Sequence, residues 1–412
     1  MRHADAVEQL KLAAMPTAKT EAVPLAAASS RVLAEAVCSP YPVPRHTNAA
    51  VDGYAFSSTD YDADAGTTLP TAGRASAGHP LAPGTRLSGA AVQILTGAVI
   101  PDELDSIAMQ EDTESLQDGE RAMVRLPRGL KAGANVRKAG EDLQQGQEIF
   151  APGHILRPQD LAALASIGHG TVKCFRRLRV GIVSSGDEIV RAGARELDIG
   201  EVYDANAPML GALVGLTGAE EIDLGVWPDE LDQVTRRLAG AARELDVILT
   251  SGGASQGEED YMSAALASLG SRHFWRIAVK PGRPMMFGQI GQATMIGLPG
   301  NPVAVFVCFL MYVYPLLRRL AGAAWPTPRP IMMPAAFGFP NRKLGRREFW
   351  RASVIDGPDG AHVEKFARDG SGLISGLRAA DGLIEIDENL PAIRRGYPVA
   401  FIPFSEFGSL SR

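Results

Sequence analysis

Apolar positions in the middle of the chain fall into short unbroken runs separated by stretches of helical spacing. The runs predict four buried strands, at residues 179–183, 246–250, 277–279 and 294–296. Helices are predicted over residues 208–216 and from Asp229, placed after Pro228 to cap the helix, to about Glu244. This alternation predicts a doubly wound α/β domain with a parallel sheet covered on both faces.

The carboxyl ends of the predicted strands carry Asp187, Gly252, Lys280 and Pro299. Ligands of doubly wound sheets bind in the crevice beyond such strand ends. We therefore expect the functional site of this chain at that edge of the sheet.

The segments on either side of the α/β region predict smaller units. From Asp52 to about Leu126, short β-type runs are broken by Gly, Pro and Asp, and residues 155–168 then predict a helix. After Ala324, frequent Gly and Pro without a convincing helix predict a small β domain. A length of 412 residues is consistent with two to four domains.

Composition narrows the classes of function. The formal net charge of -6 lacks the basic excess of a duplex-binding protein, so no nucleic-acid partner is expected. The longest apolar run, residues 303–317, is shorter than the roughly 20 residues that span a bilayer, and we interpret it as a buried helix. Three dispersed cysteines and the absence of a signal peptide favour a soluble protein of a reducing compartment, without a membrane partner.

The richest motif is TSGGASQGEEDY, residues 250–261. It links a predicted strand to a helix, so its glycines can bring N–H groups close to an anion, although glycine alone fits a ligand-free turn equally well. Glu258 and Glu259 stand where the phosphate loop of an NTPase needs Lys and Ser/Thr. A hydrolase elbow at Ser255 is disfavoured, because only His273 and His362 follow it and no oxyanion loop is present.

Two rigid turns and several acidic residues complete the candidate chemistry. The turn from Lys280 to Arg283 (KPGR) places a point charge and a planar fork where they suit phosphate or a tetrahedral oxyanion, although the tetrapeptide alone is more often a solvated turn. Residues 297–302 (GLPGNP) form a second stiff turn. Acidic residues at other turns, including Asp142 and Glu188, could hold a divalent metal beside bound anions.

Eight motifs occur in a fixed order along the chain. They are NAAVDGYA (48–55), TGA (96–98), GED (140–142), SGDE (185–188), YDAN (203–206), SGGASQG with DY (251–257 and 260–261), KPGRP (280–284) and GLPGNP (297–302). This series resembles the molybdopterin molybdenumtransferases, the bacterial MoeA type that is shared by the carboxyl-terminal domain of gephyrin. Each motif alone would be weak evidence, but together they cover nearly the whole chain.

The resemblance implies a multidomain α/β fold. Its parts would be a discontinuous linker domain at 1–45 and 140–177, a β-rich inserted domain at 46–139, a doubly wound molybdopterin-binding domain at 178–322 and a carboxyl-terminal β-barrel at 323–412. It also implies a cytoplasmic homodimer whose site lies at the subunit interface. Molybdopterin adenylyltransferase and molybdoenzyme-maturation proteins are the further partners it suggests.

The reaction implied by the resemblance is the insertion of molybdate into adenylylated molybdopterin, with Mg²⁺ as cofactor and release of AMP. The residues implied for the reaction itself are Asp52, Thr96, Asp142, Glu188, Asp260, Lys280 and Arg283. The first three would act from the partner subunit, and Glu188 and Asp260 would hold the metal. The residues implied to bind substrate are Ser251, Gly252, Gly253, Ser255, Asp229, Pro299, Pro302, Arg351 and Ser371.

Two other interpretations use a similar fold. A non-catalytic relative would bind cofactor intermediates or serve as an assembly platform, but such a scaffold has no need of these acidic and cationic residues. A molybdopterin adenylyltransferase resembles the α/β domain alone, and the additional domains argue against it. An enzyme that inserts molybdate is therefore the preferred hypothesis.

Overall fold

The computed structural model of the chain describes residues 1–16, 19–252, 261–358 and 360–408. The chain divides into two compact units. The first unit comprises Met1–Glu35, Pro152–Arg157 and Val172–Arg412, and the second comprises Ala36–Ala151 and Pro158–Thr171.

The second unit is built around a six-stranded sheet. In sheet order its strands are Ser106–Met109, Gly53–Phe56, Ala91–Ile94, Thr67–Ala75, Arg121–Leu126 and Glu114–Asp118. Shorter antiparallel pairs join Val37–Cys38 to Glu148–Phe150 and Asn48–Ala49 to Val136–Arg137. A helix spans Pro158–Ser166. The β-rich stretch and the helix predicted from the sequence are both confirmed.

The first unit opens with the helix His3–Ala13 and the strand Thr20–Pro24, which pairs with Thr171–Phe175. Its main sheet has six strands, in the order Glu220–Trp227, Arg179–Ser185, Val247–Ser251, Ala293–Leu298, Met286–Ile290 and Ser271–Trp275. The first four run parallel, whereas Met286–Ile290 is antiparallel to both of its neighbours. The sheet is therefore mixed and not wholly parallel, which corrects the sequence-based expectation.

Helices cover both faces of this sheet, as predicted. On one face Val180 and Ile182 share a core with the helices Asn206–Leu216 and Pro302–Leu320. On the other face Val183 and its neighbours pack against the helices Leu231–Glu244 and Tyr261–Leu269. The alternation of 180 and 182 with 183 is the period-two pattern of a strand buried on both sides.

Two sequence-based assignments in this region are wrong. The run 277–279 is not a strand of the α/β sheet, because only Val279–Lys280 is extended and it pairs in parallel with the strand Arg347–Gly357. Asp229 does not cap the following helix, which begins at Leu231 with Glu230 before it and has no side-chain cap. The Asp229 carboxylate instead accepts a hydrogen bond from the Ser185 hydroxyl.

The apolar run that begins at Val303 is a buried helix, as predicted. It consists of α-helix at Pro302–Cys308, a π turn at Phe309–Val313 and α-helix at Tyr314–Leu320. By length and composition it could cross a membrane, but 83% of its most apolar window is buried inside the protein. It is therefore a core helix of the first unit.

A second sheet ends the chain. In order its strands are Val279–Lys280, Arg347–Gly357, Gly382–Ile386, Pro398–Pro403 and Ile331–Pro334, and Gly360–Lys365 pairs with the far half of Arg347–Gly357. The predicted barrel is not confirmed. Among the described residues, the only bridge between Gly360–Lys365 and the segment that follows Ile331–Pro334 is the isolated pair Ala335 and Val363. A short helix, Ile374–Ala379, lies where none was expected.

We predict opposite effects for alanine at two glycines of the helical layer. At Gly270 a Cβ atom would lie 2.0 Å from the backbone oxygen of Gln289, whereas at Gly240, inside Leu231–Glu244, it would meet nothing within 4 Å. Gly270→Ala should lower the free energy of unfolding by about 1–3 kcal/mol, because backbone must move. Gly240→Ala should raise it by roughly 0.5–1 kcal/mol through helix propensity. Thermal unfolding checks both, and equal shifts in one direction would contradict the described packing.

Candidate active site

The carboxyl ends of three parallel strands meet at one edge of the α/β sheet. The ladders align Ser184 with Ser251, and Ser251 with Leu298. The turns that follow these strands are therefore neighbours. At this edge the Ser185 hydroxyl donates to Asp229 Oδ1 at 3.2 Å, and the Asp229 backbone N–H donates to Asp187 Oδ1 at 3.2 Å.

Gly252 stands where the backbone permits no side chain. Its φ is +89°, and a Cβ atom would lie 2.6 Å from the backbone oxygen of Ser185. The glycine thus lets the turn after one strand pass directly against the end of the next strand. Gly253, Ser255 and Asp260, which continue this motif, lie outside the described residues.

Asn206 ties the two turns together. Its amide group, at the start of the helix Asn206–Leu216, donates to Ser251 Oγ at 2.7 Å and to the backbone oxygen of Gly300 at 2.6 Å. The preceding Asp204 accepts hydrogen bonds from the Asn206 and Ala207 N–H groups and so fixes the helix start. Asn206 belongs to the YDAN motif, but no role was predicted for it from the sequence.

Glu188 is exposed and folds back over its own turn. A Cβ atom at Gly186 would lie 2.3 Å from Glu188 Oε2, so the carboxylate occupies the space above that glycine. Within the described part of the chain, no group of three or more His, Cys, Asp or Glu side chains converges as a metal cage. Glu188 and the undescribed Asp260 remain predicted metal ligands.

A cavity of about 280 Å³ lies where the Lys280–Arg283 turn meets the second sheet of the first unit. Among its lining residues are six cationic side chains and a single acidic one, Asp369. The cations are Lys280, Arg283, Arg346, Arg351, Lys365 and Arg368. Apolar walls such as Trp350 lower the dielectric around these charges, so the cavity should strongly favour an anion.

The Lys280–Arg283 turn is held at Lys280 and is packed from below at Gly282. Lys280 is in register with Glu348, and its Nζ lies 3.5 Å from Glu348 Oε2. Gly282 has φ +104°, and a Cβ atom there would lie 2.2 Å from Cys308 Sγ. Burial raises the pKa of the Cys308 thiol to about 12, so this sulfur packs as an uncharged group under the turn. Arg283 is exposed, and its side chain has no hydrogen bond or ion pair to another described residue.

Arg351 is almost fully buried and also lines the cavity. Its guanidinium donates to the backbone oxygens of Leu373, Arg368 and Gly370 at 2.8, 2.9 and 3.2 Å. Burial lowers the pKa of Arg351, while the nearby Asp369 carboxylate acts in the opposite direction. This geometry favours a role in holding the loop that carries Arg368 and Ser371.

The remaining residues predicted near the α/β domain also gather here. Ser371 and Pro299 line the cavity, and the Ser371 backbone oxygen accepts a hydrogen bond from Val303 N–H at 3.1 Å. Pro302 occupies the first turn of the long helix, as predicted, with its neighbours Asn301 and Val303 in the cavity wall. Lys280, Arg283, Pro299, Arg351 and Ser371 are thus brought together in one cavity.

The second unit carries the other predicted reaction residues. Thr96 donates to Asp52 Oδ1 from both its hydroxyl and its backbone N–H, each at 2.7 Å. Both hydrogen bonds lower the pKa of Asp52 from its ordinary value of 3.8, and the bond from the hydroxyl has the larger effect. Asp52 is therefore an exposed, firmly ionised carboxylate. Asp142 is exposed too, and its backbone N–H donates to Val43 at 3.0 Å.

Three cationic residues of the cavity were missed from the sequence. Arg346 lies inside the stretch GRREFWR and Arg368 lies three residues before Ser371, so each had a local signal. Lys365 gives no such signal, since its place over the Trp350 ring, 5.4 Å from the centroid, depends on pairing between distant segments.

Known proteins resemble this chain over almost its full length. Three family models match it in succession, described as MoeA N-terminal region (domain I and II) at residues 1–168, Probable molybdopterin binding domain at 181–319 and MoeA C-terminal region (domain IV) at 334–404. A molybdopterin molybdenumtransferase from Haemophilus influenzae is 36% identical over 389 residues, which are 94% of this chain and 94% of that protein. The chain belongs to the molybdopterin molybdenumtransferase family.

Two further proteins are similar to this chain, one in sequence and one in fold. Gephyrin from Dictyostelium discoideum is 30% identical over 346 residues, which are 73% of this chain and 47% of gephyrin. The crystal structure of a molybdopterin biosynthesis moeA protein from Pyrococcus horikoshii OT3 superposes with a TM-score of 0.84 at 29% identity, over 98% of this chain and 99% of that one. The resemblance inferred from the eight motifs is confirmed.

We predict that Thr96 controls the ionisation of Asp52 in this family member. Thr96→Val removes the hydroxyl donor and keeps the N–H, so the pKa of Asp52 should rise toward 3.8, whereas Thr96→Ser should leave it low. Because the folded-state pKa is depressed, the stability from ionised Asp52 is present above its unfolded pKa and is lost as pH falls through the folded value. Carboxyl NMR titration measures this, and an unmoved pKa in Thr96→Val would disprove the coupling.

Proposed function

We propose that the protein is a molybdopterin molybdenumtransferase that inserts molybdate into adenylylated molybdopterin and releases AMP. Membership of the family supports the reaction class. The observation that carries the proposal for this chain is the cavity around Lys280 and Arg283, with six cationic side chains against one acidic one.

The reaction requires two anions to be held against each other. Molybdate and the substrate phosphates repel, so a site for both must neutralise charge in a partly dry space. In our proposal Lys280 and Arg283 contact the oxyanions, and the buried Pro299 gives the pocket its fixed width. The fork of Arg283 suits two oxygen atoms at once, whereas Lys280 acts as a point charge.

The nucleotide end of the substrate belongs at the neighbouring strand ends in this proposal. Ser251, Gly252 and Asp229 would contact it there, together with Gly253 and Ser255, which lie outside the described residues. Water attacks the AMP phosphorus and a new P–O bond forms. The pyrophosphate P–O bond breaks with its electron pair going to the molybdopterin phosphate, and the proton lost by the water passes to solvent. A strand-end crevice with glycine turns is suited to such phosphate contacts.

Magnesium is part of the proposal as a group that neutralises phosphate charge. Mg²⁺ typically binds through one or two carboxylates plus substrate phosphates. The exposed Glu188 carboxylate fits such a partial ligand set, and no cage of three ligand side chains exists among the described residues. We propose that Glu188, with Asp260, holds the ion when substrate is bound.

We further propose a cytoplasmic homodimer with its site at the subunit interface. Asp52, Thr96 and Asp142 of one chain would complement the cavity of the other, and the exposed ionised Asp52 is suited to that role.

The division into four domains at 1–45 with 140–177, 46–139, 178–322 and 323–412, including a final barrel, is kept as part of this proposal. Molybdopterin adenylyltransferase would supply the substrate and molybdoenzyme-maturation proteins would receive the product, without nucleic acid or membrane.

Purified protein supplied with adenylylated molybdopterin, Mg²⁺ and molybdate should release AMP, and omission of molybdate should abolish release. Lys280→Met should lower kcat/KM by about 100-fold or more, because a charge aimed at the reacting anions is lost. Asp52→Asn should cause a loss of similar order. Release of AMP is measured by chromatography.

Glu385→Gln is the matched control for these variants. Glu385 pairs with Arg347 at 2.7 Å on the same sheet but does not line the cavity, so its loss should leave kcat/KM within about twofold. Full activity of Lys280→Met would exclude the proposed site. Tight binding of the adenylylated compound by the wild type without turnover would indicate a carrier or scaffold instead.

A further inference from the structure

Glu348 is a buried carboxylate directly behind the cationic cavity. Only 3% of the residue is exposed. Trp350 Nε1 donates to its Oε2 at 2.8 Å, and Arg342 Nε donates to its Oε1 at 3.3 Å. The third cationic or donor group is the Lys280 ammonium, 3.5 Å from Oε2. A charge this deeply buried persists only when such partners surround it.

The partner behind Glu348 is itself fixed. Arg342 is buried, and its guanidinium donates to the backbone oxygens of Asp387, Leu390 and Arg346 at 2.7, 2.6 and 2.5 Å. These bonds tie it to two loops of the second sheet. Glu348 is therefore held from behind by a group that cannot move without breaking backbone contacts.

Lys280, in contrast, needs an external constraint. Its backbone is fixed in register with Glu348, but its side chain is 39% exposed and carries the ammonium on a flexible four-carbon stem. Arg283, Arg346 and Arg368 line the same cavity and repel the ammonium. Without an anchor, these like charges would drive Nζ away from the wall and into solvent.

We propose that Glu348 is a positioning residue that fixes the Lys280 ammonium at the cavity wall. The carboxylate offers its Oε2 to Lys280 while Arg342 and Trp350 hold the carboxylate in place, so the ammonium meets an incoming oxyanion in one direction. Glu348 is absent from the residues that line the cavity, so it acts on an anion through Lys280 and not by direct contact. This inference rests on the proposed function for its kinetic consequence, but not for the ordering of Lys280.

A double-mutant cycle in the full-length protein tests the kinetic consequence. Glu348→Gln keeps the shape and a carbonyl acceptor for Trp350 but removes the charge, and should lower kcat/KM for AMP release by about tenfold. In a Lys280→Met background the same substitution should cause no further loss. Equal losses in both backgrounds would overturn the proposal, because they would mean that Glu348 acts through the fold alone.

Competitive acetylation with acetic anhydride, read by mass spectrometry, tests the ordering of Lys280 without substrate. A side chain held against the cavity wall by an ion pair is less open to the reagent, so Glu348→Gln should speed acetylation of Lys280 several-fold relative to the exposed Lys131. Glu385→Gln should not change it. Unchanged reactivity of Lys280 in Glu348→Gln would refute the proposal.

The two measurements separate the possible failures. If the wild type releases no AMP, the proposed function fails while acetylation still decides whether Glu348 orders Lys280. If Glu348→Gln unfolds, Glu348→Asp replaces it in both measurements, because it keeps the charge near Arg342 and withdraws the carboxylate from Lys280 by one methylene. Glu348→Asp should then show the same acceleration of acetylation.

Discussion

The candidate site depends on a two-residue ladder between segments that are far apart in sequence. Val279 and Lys280 leave the α/β region and pair in parallel with Arg347 and Glu348. This pairing draws the KPGR turn against the strand that also carries Trp350 and Arg351. The cavity has cations from both segments because this strand pairing places the two segments side by side. The anion preference of the site is thus a consequence of sheet pairing.

The cations of the cavity differ in how firmly other residues hold their side chains. Arg351 and Lys365 are held by backbone oxygens, an aromatic ring or Asp369, so they serve mainly to build the walls. Arg283 has no such partner among the described residues and is exposed. Lys280 lies between these cases, since it is partly exposed and has a buried carboxylate behind it. The cations that are most free to contact an entering anion therefore lie on the KPGR turn.

The sequence predicts local features well and distant pairings poorly. Strands at 179–183, 246–250 and 294–296 were readable because buried strands are unbroken apolar runs, and Pro158 and Pro302 marked helix starts. The run 277–279 looks the same in sequence, yet its partner is nearly 70 residues away, which no periodicity records. Lys280 and Arg283 were identified by their charge beside a rigid turn, and Arg351 and Ser371 by the family resemblance. Glu348 and Arg342 were not identified, because burial decides their role.

The shared ladder also limits how the chain can be divided. Family models end one region at residue 319 and begin the next at 334, but Lys280 and Glu348 lie on opposite sides of that boundary. A fragment that stopped at 319 would present Val279–Lys280 as an unpaired edge and would lack four of the six cavity cations. Neither region alone can therefore form the site. Evolution of either region is constrained by the other, and recombination between relatives should preserve both together.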